Sequence, residues 1–536
     1  MKHRKIYGLL NVLITIFCLG WTQKVECQSL FTAWQNQQAK AGKAYADGNF
    51  REAVERYEDV FEKHPTEEIN LRIARCYHFI GDHHQCVSWY ERFMNRSGVL
   101  LSDDQFNCAE SYASLGNYES AIVYYEKILT QSPDDLIIAK KIWRLKNIQY
   151  LLEDSTHYAV QSININSPEN EFGGMPFRDG MLFLSNREKV SVVVRRDAAT
   201  QMSFYHSYFS PFIKDTMGVD AGHYGEPDFF KKGYIANFQE GPFSFFNKEN
   251  NMVYTASANK PGNDRARTLQ LYFAEWKNGK WITTYPFPYN SATYSVTDPS
   301  ISENGKVLYF SSDMKGGQGG KDLYRCDYSQ GKWNKPVNLI DINTRYDESY
   351  PFVQNRVLYF SSTGQAGMGG LDVFKVDILS DGFGEIVNMG YPINTHADDF
   401  SFVVDSLGTK GYFSSNRGDT HDDIYRVDID MQTYPIVMEG TLRFKEIGSQ
   451  DSLALKPLPN VKLILIDNVK GVTVSEIMAD SLGNFVLQIP YFSQYKLKVV
   501  EENKNETVVS LGVPRHRKKE EKHDIVVVRE IFKVSP

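Results

Sequence analysis

The stretch from Asp298 to Tyr425 states one pattern three times, and that repetition limits the folds open to the chain. DPSISENGKVLYFSSDMKGGQGGKDLYRCD begins at Asp298, SYPFVQNRVLYFSSTGQAGMGGLDVFKVD at Ser349, and DFSFVVDSLGTKGYFSSNRGDTHDDIYRVD at Asp399. Each unit holds three short runs of aromatic and β-branched residues at alternating spacing. Polar turns divide them: Asn304-Gly305, the Gly-rich stretches 316–320 and 364–370, and Asn416-Arg417-Gly418. Alternation between turn signals is a strand pattern. Repeated at this length, it predicts an array of small four-stranded blades, each covering its neighbour's apolar face.

Two fainter copies lie upstream. Phe183, Tyr254, Tyr309, Tyr359 and Tyr412 align with steps of 71, 55, 50 and 53 residues, the first lengthened by an insertion around 195–235. The count is five blades, with a sixth left open in that insertion. GKWNKPVNLIDINT at 331–344 and GFGEIVNMGYPINT at 382–395 supply fourth strands, and both end Ile-Asn-Thr. The last blade lacks such a copy, whereas HYAVQSININS at 157–167 has one to spare. The strand near 158–165 is therefore expected to pair with blade five and close a ring, burying the edges that an open sheet exposes. Residues 156–430 are the expected propeller.

The propeller most resembles the WD40-like propellers of bacterial periplasmic proteins, without the Trp-Asp dipeptide of the eukaryotic class. Asp322, Asp372 and Asp423 recur two residues before Tyr324, Phe374 and Tyr425. They are read as structural, accepting hydrogen bonds from the preceding turn's amides, since their spacing is not that of a calcium loop. SSDMKGGQGG at 311–320 begins like a sialidase box but lacks its Trp. The sequence carries no Gly-x-Ser-x-Gly and no His-Glu-x-x-His, and the histidines at 83, 84, 223, 396 and 421 have no ligand spacing. Neither catalysis nor a cofactor is expected.

Residues 31–152 are helical by period and also repeat. Ala74, Tyr77, Gly81, Cys86, Tyr90 and Phe93 align with Ala109, Tyr112, Gly116, Ala121, Tyr125 and Ile128. Ala41, Gly48, Ala53, Tyr57 and Val60 make an earlier copy, with glycine steps of 33 and 35. This resembles the tetratricopeptide repeat, whose period is about 34. A final amphipathic helix near 135–152 would cap the stack. The resemblance implies a concave face that binds peptides or proteins, with Arg72, Arg75 and Gln105 as candidate lining residues.

Five alternating runs at 436–500 predict a small β-sandwich. Pro457-Leu458-Pro459, Val461, Asp480…Gly483, Phe485 and Tyr495 resemble the carboxypeptidase-regulatory-like domain. That implies a spacer or docking module, with Phe485 and Tyr495 in its core. RHRKKEEKH at 515–523 reads as a solvated loop before a last strand, so 501–536 forms a charged segment and final strand.

The first 27 residues read as an export signal: Lys2, His3, Arg4 and Lys5, then Ile6 to Gly20, apolar but for Asn11 and Thr15, with Cys27 before the cleavage point. Net charge is −7, which argues against a nucleic-acid binder. Cys76, Cys86, Cys108 and Cys326 are expected as separate buried thiols.

The fold class is thus multidomain, α plus all-β: a tetratricopeptide solenoid, a five-bladed propeller with six left open, and a β-sandwich. This order resembles the OmpA-family, PorE-type proteins of type IX secretion and gliding motility. The resemblance implies a periplasmic scaffold associated with the outer membrane. Its partners would be a barrel of the PorP/SprF type and other envelope proteins. The family's C-terminal OmpA-type domain is missing from the pattern, so direct peptidoglycan binding is not expected. The alternative is a propeller that binds a glycan or peptide in its funnel through aromatics such as Tyr346, Tyr350 and Tyr391. A funnel lined by stacked aromatics and acids would favour that alternative.

Overall fold

A computed structural model describes residues 36–96, 98–153, 155–187, 202–214, 222–230, 234, 238–259, 267–418, 421–429, 436–447, 455–468, 470–490, 495–501, 506–511 and 520–530. Residues 1–27, expected as an export signal, lie outside them. No described helix is long and apolar enough to cross a membrane.

The helical region pairs α1 (36–46) with α2 (Phe50–Lys63), α3 (Glu67–Ile80) with α4 (His83–Met94), and α5 (Ser102–Ser114) with α6 (Tyr118–Gln131). Gly48, Gly81 and Gly116 sit in the turn inside each pair at φ 77°, 82° and 71°. Only glycine enters that left-handed conformation without cost, which is why the glycine step marks the repeat. Ala41, Ala53, Ala74, Ala109 and Ala121 are fully buried and let the helices approach closely. The tyrosines carry a relation the sequence did not reveal. Tyr77 donates to Glu58 at 2.6 Å, and one repeat later Tyr112 donates to Glu91 at 2.6 Å. α7 (Leu136–Lys146) and a short turn at Ile148–Leu151 follow.

The β region from Tyr158 to Ile429 is propeller-like. Five antiparallel sheets follow one another, with inner strands Glu171–Phe177, Glu240–Phe246, Val296–Ile301, Glu348–Gln354 and Asp399–Val404. These inner strands touch in cyclic order, the fifth meeting the first. Tyr158–Ser162 is the outermost strand of the fifth sheet, pairing with Asp423–Ile429 in the register Ser162 to Tyr425. The described strands of the 195–235 insertion belong to the first sheet. His206–Lys214 is that sheet's third strand, and Gly222–Tyr224 and Asp228–Phe229 pair with it.

The Tyr-Phe doublet now has a reason. Successive side chains on a strand point to opposite faces. Tyr309 packs among residues of the third and fourth sheets, and Phe310 among residues of the second and third. One doublet thus fills two gaps. Between the fifth and first sheets the gap holds Met181, Phe183, Tyr208, Ile424 and Ile165, the last brought by the N-terminal segment.

Ile436–Ile447 begins a two-sheet sandwich whose core includes Phe485 and Tyr495 at 3% and 2% exposure. It extends beyond the expected boundary at 500. Glu506–Leu511 joins one sheet and Glu520–Glu530 the other. The charge run is thus not a loop throughout: residues 520–523 are strand, paired in parallel with Ile436–Ile447, whose open edge supplies the backbone partners. The four cysteines are buried and unpaired with one another.

Candidate binding sites

On the helices, Arg72 rests over the Tyr45 ring at 4.9 Å. Arg75 makes two bonds to Asp104, each 2.7 Å, and Asp104 is 1% exposed and also accepts from Tyr90. Gln105 is buried, donating to Leu100 O and accepting from Gln131. Arg75 and Gln105 are therefore committed within the stack, and Arg72 is the member of the set without a carboxylate or backbone partner among the described residues.

In the sheets, buried polar latches recur. Asp322 accepts from the amides of Gln318 and Gly319 at 2.5 and 3.0 Å, and from Asn338. Asp372 accepts from Met368 and Gly369 at 2.8 and 3.2 Å. For Asp423 the corresponding loop includes positions 419 and 420, outside the described residues. The asparagines of the Ile-Asn-Thr endings form a second latch. Asn343 holds both backbone groups of Leu323, and Asn394 both of Val373. Asn290 does the same for Leu271 and Asn166 for Ile424. A third latch was not foreseen. Glu171, Glu348 and Asp399 open their inner strands fully buried, each accepting from the amide and hydroxyl of Ser167, Thr344 or Thr395 four residues earlier. Arg187 and Arg417 neutralise Glu171 and Asp399. Burial pushes the Glu348 carboxyl up to about 7, against the pull of its Thr344 and Ser362 hydrogen bonds.

The axis is different. Every inner strand has a β-bulge near its start, where two residues face one: 173–174, 241–242, 298–299, 350–351 and 401–402. Four of the five first positions have left-handed backbone: Gly173 at φ 66°, Asp298 at 53°, Tyr350 at 51° and Ser401 at 56°. The fifth is Gly241, where a Cβ would lie 2.4 Å from that of Thr255.

Aromatic rings gather beside this ring of bulges. Tyr350 of the fourth sheet lies 5.0 Å from Phe400 of the fifth and 6.4 Å from Phe172 of the first. Phe172 meets Phe400 at 6.0 Å and Tyr205 at 4.9 Å. The fourth and first sheets are not neighbours in the ring, so the direct meeting of Tyr350 with Phe172 marks the axis. Burial lifts the Tyr350 phenol well above its ordinary range, followed by the charges of Asp298, Asp422 and, after Tyr205, Asp398. Asp422 is itself pushed up to about 7 by burial and by Asp398, Asp423 and Glu171.

Of the aromatics singled out in the sequence, Tyr350 belongs to this cluster. Tyr346 stands beside Arg345, and Tyr391 is 44% exposed on a turn anchored by its amide to Leu151 O. Phe172, Tyr205, Asp298, Phe400 and Asp422 were missed. Pro242, Pro299 and Pro351, each second in its bulge, were the available signal, because proline inside a strand marks such an irregularity. Among the described residues no group of three or more His, Cys, Asp or Glu side chains is placed to hold a metal ion.

The tetratricopeptide repeat family model matches residues 105–135, so the chain contains such a repeat. No curated protein sequence matches the chain. Among solved structures, the TPR2AB domain of yeast Sti1 in its pHSP90 complex is 20% identical, with a TM-score of 0.20. That match covers 24% of this chain and 51% of the other, so the chain spans about half of the Sti1 structure. RS223-β-xylosidase is 12% identical over 56% of this chain and 98% of its own, at a TM-score of 0.33. The exo-β-1,3-galactanase 1,3Gal43A of Clostridium thermocellum is 12% identical over 64% and 82%, at 0.31. At these scores none of the three bears on activity.

Proposed function

We propose that this protein is an exported scaffold on the periplasmic side of the outer membrane. It acts by holding other proteins rather than by catalysis, with a barrel of the PorP/SprF type among its partners in a type IX secretion or gliding-associated complex. On this reading the β region is a five-bladed propeller, a rigid body that presents surface without demanding chemistry. The observation that carries the proposal is the tetratricopeptide stack, an architecture suited to binding protein, joined to a β region of repeated sheets. The test is purification of the tagged chain from native envelopes in mild detergent, followed by mass spectrometry. An outer-membrane barrel recovered in fixed proportion is the expected result. A chain that elutes alone and soluble ends the tethering proposal.

A second reading, that the propeller axis binds a ligand, is favoured by the cluster of Phe172, Tyr205, Tyr350 and Phe400 beside Asp298, Asp398 and Asp422.

A further inference from the structure

The left-handed position in the axial bulges is one that glycine fills without strain, as Gly173 does. Asp, Tyr and Ser fill it only at a cost in backbone energy, and that cost is repeated at Asp298, Tyr350 and Ser401. The backbone requirement does not explain these side chains. What they share is their place around the axis.

Among the described residues their polar groups are largely unused. Asp298 is 6% exposed, and the one donor to its carboxylate among the described residues is Thr297 Oγ1, at 2.9 Å on Oδ2. The other oxygen has no donor among those residues. The Tyr350 hydroxyl and the Asp422 carboxylate likewise have no hydrogen-bond partner among them. The contrast with two of the same ring's latches is direct, because Glu171 and Asp399 are matched by Arg187 and Arg417. Among the described residues the axis thus holds carboxylates without cations, beside aromatic faces. A carboxylate in such a place is costly unless a positive charge reaches it. Aromatic faces with acids between them suit an organic cation, which gains from the ring quadrupoles and the carboxylates together.

We propose that the axial cluster binds a protonated amine or guanidinium group, held by Asp298 and Asp422 and flanked by Tyr350 and Phe172. This deepens the second reading above and rests on it. The group can be the side chain of a lysine or arginine in a partner polypeptide, or a free amine.

The test is calorimetric titration of the full chain with three probes: the capped tripeptide acetyl-Gly-Lys-Gly-amide, spermidine, and the uncharged sugar maltotriose. The expected result is saturable binding of one or both cations, and their ratio shows which source the site suits. Asp298→Asn, which keeps shape and removes charge, should weaken that binding by about tenfold. Tyr350→Gly, which relaxes the backbone and removes the ring, should do the same. Because glycine is at home in that conformation, its loss of binding is not a loss of fold, and an unchanged melting transition checks this. Binding of maltotriose with none of either cation overturns the cation proposal and leaves the second reading standing. Failure of all three probes overturns both. Cation binding unaffected by either substitution also overturns the proposal.

Discussion

The latches and the axial ring are built on the same five-fold backbone, yet they obey opposite rules. At the latches the chemistry repeats. Asn166, Asn290, Asn343 and Asn394 do one job in four sheets, and Glu171, Glu348 and Asp399 do another in three, all with partners inside the protein. At the axis the backbone repeats and the chemistry does not: Gly, Gly, Asp, Tyr and Ser occupy equivalent bulge positions. A residue retained in every copy serves the copy itself. A residue that differs between copies of one geometry is free to serve something outside the fold.

The sharpest way to break that distinction is to delete a latch. Asn394 is fully buried and satisfies both backbone groups of Val373. Asn394→Ala leaves them unpaired and should cost about 3 kcal/mol in denaturant unfolding of the β region. A loss near zero would mean that the repeated asparagines are decoration.

A smaller effect is expected from acid. Burial raises the Glu348 carboxyl from 4.5 to about 7 in the folded protein. The folded state therefore takes up a proton that the unfolded state does not. The resulting stabilisation is complete below 4.5 and is lost as pH rises through 7. Between pH 8 and pH 5 the wild type should gain on the order of 2 kcal/mol relative to Glu348→Gln. Parallel stability curves for the two proteins would show that the latch carries its charge at both pH values.

The smallest effect, and the one of opposite sign, belongs to the axis. Asp298→Gly and Ser401→Gly each relieve left-handed strain, so each should leave stability unchanged or raise it by up to about 1 kcal/mol. Thermal unfolding measures this directly. Marked destabilisation would place both residues among the latches.

The sheets were legible because their strands are short, aromatic and punctuated. The doublets at Tyr309-Phe310 and Tyr359-Phe360 announce two buried faces, and the spare Ile-Asn of HYAVQSININS announced the closing strand. The glycine steps read the helical repeats for the same reason, since Gly81 and Gly116 have a backbone duty that other residues perform badly. The axial cluster was not legible. Phe172, Tyr205, Asp298, Phe400 and Asp422 are scattered over 250 positions and meet only because the ring closes. Nor could composition show that Arg75 and Gln105 would turn inward. Arg75 answers Asp104, a buried acid on the next helix pair. A last strand was expected, but its start at 520–523 was hidden by its charges, because pairing in parallel with an existing edge needs backbone groups more than apolar side chains.

Ring closure also sets an order of events. Ser162 and Tyr425 pair across 263 positions, so the strand made first waits for the one made last. Until Asp423–Ile429 is free to pair, the chain carries an unmatched outer strand and an incomplete fifth sheet, and a contact so distant in sequence forms slowly. A product cut short before Asp423 keeps that strand without its partner. Two full-length chains crowded together have another course open to them, in which the early strand of each completes the last sheet of the other. The same pairing that seals a single molecule would then join a pair.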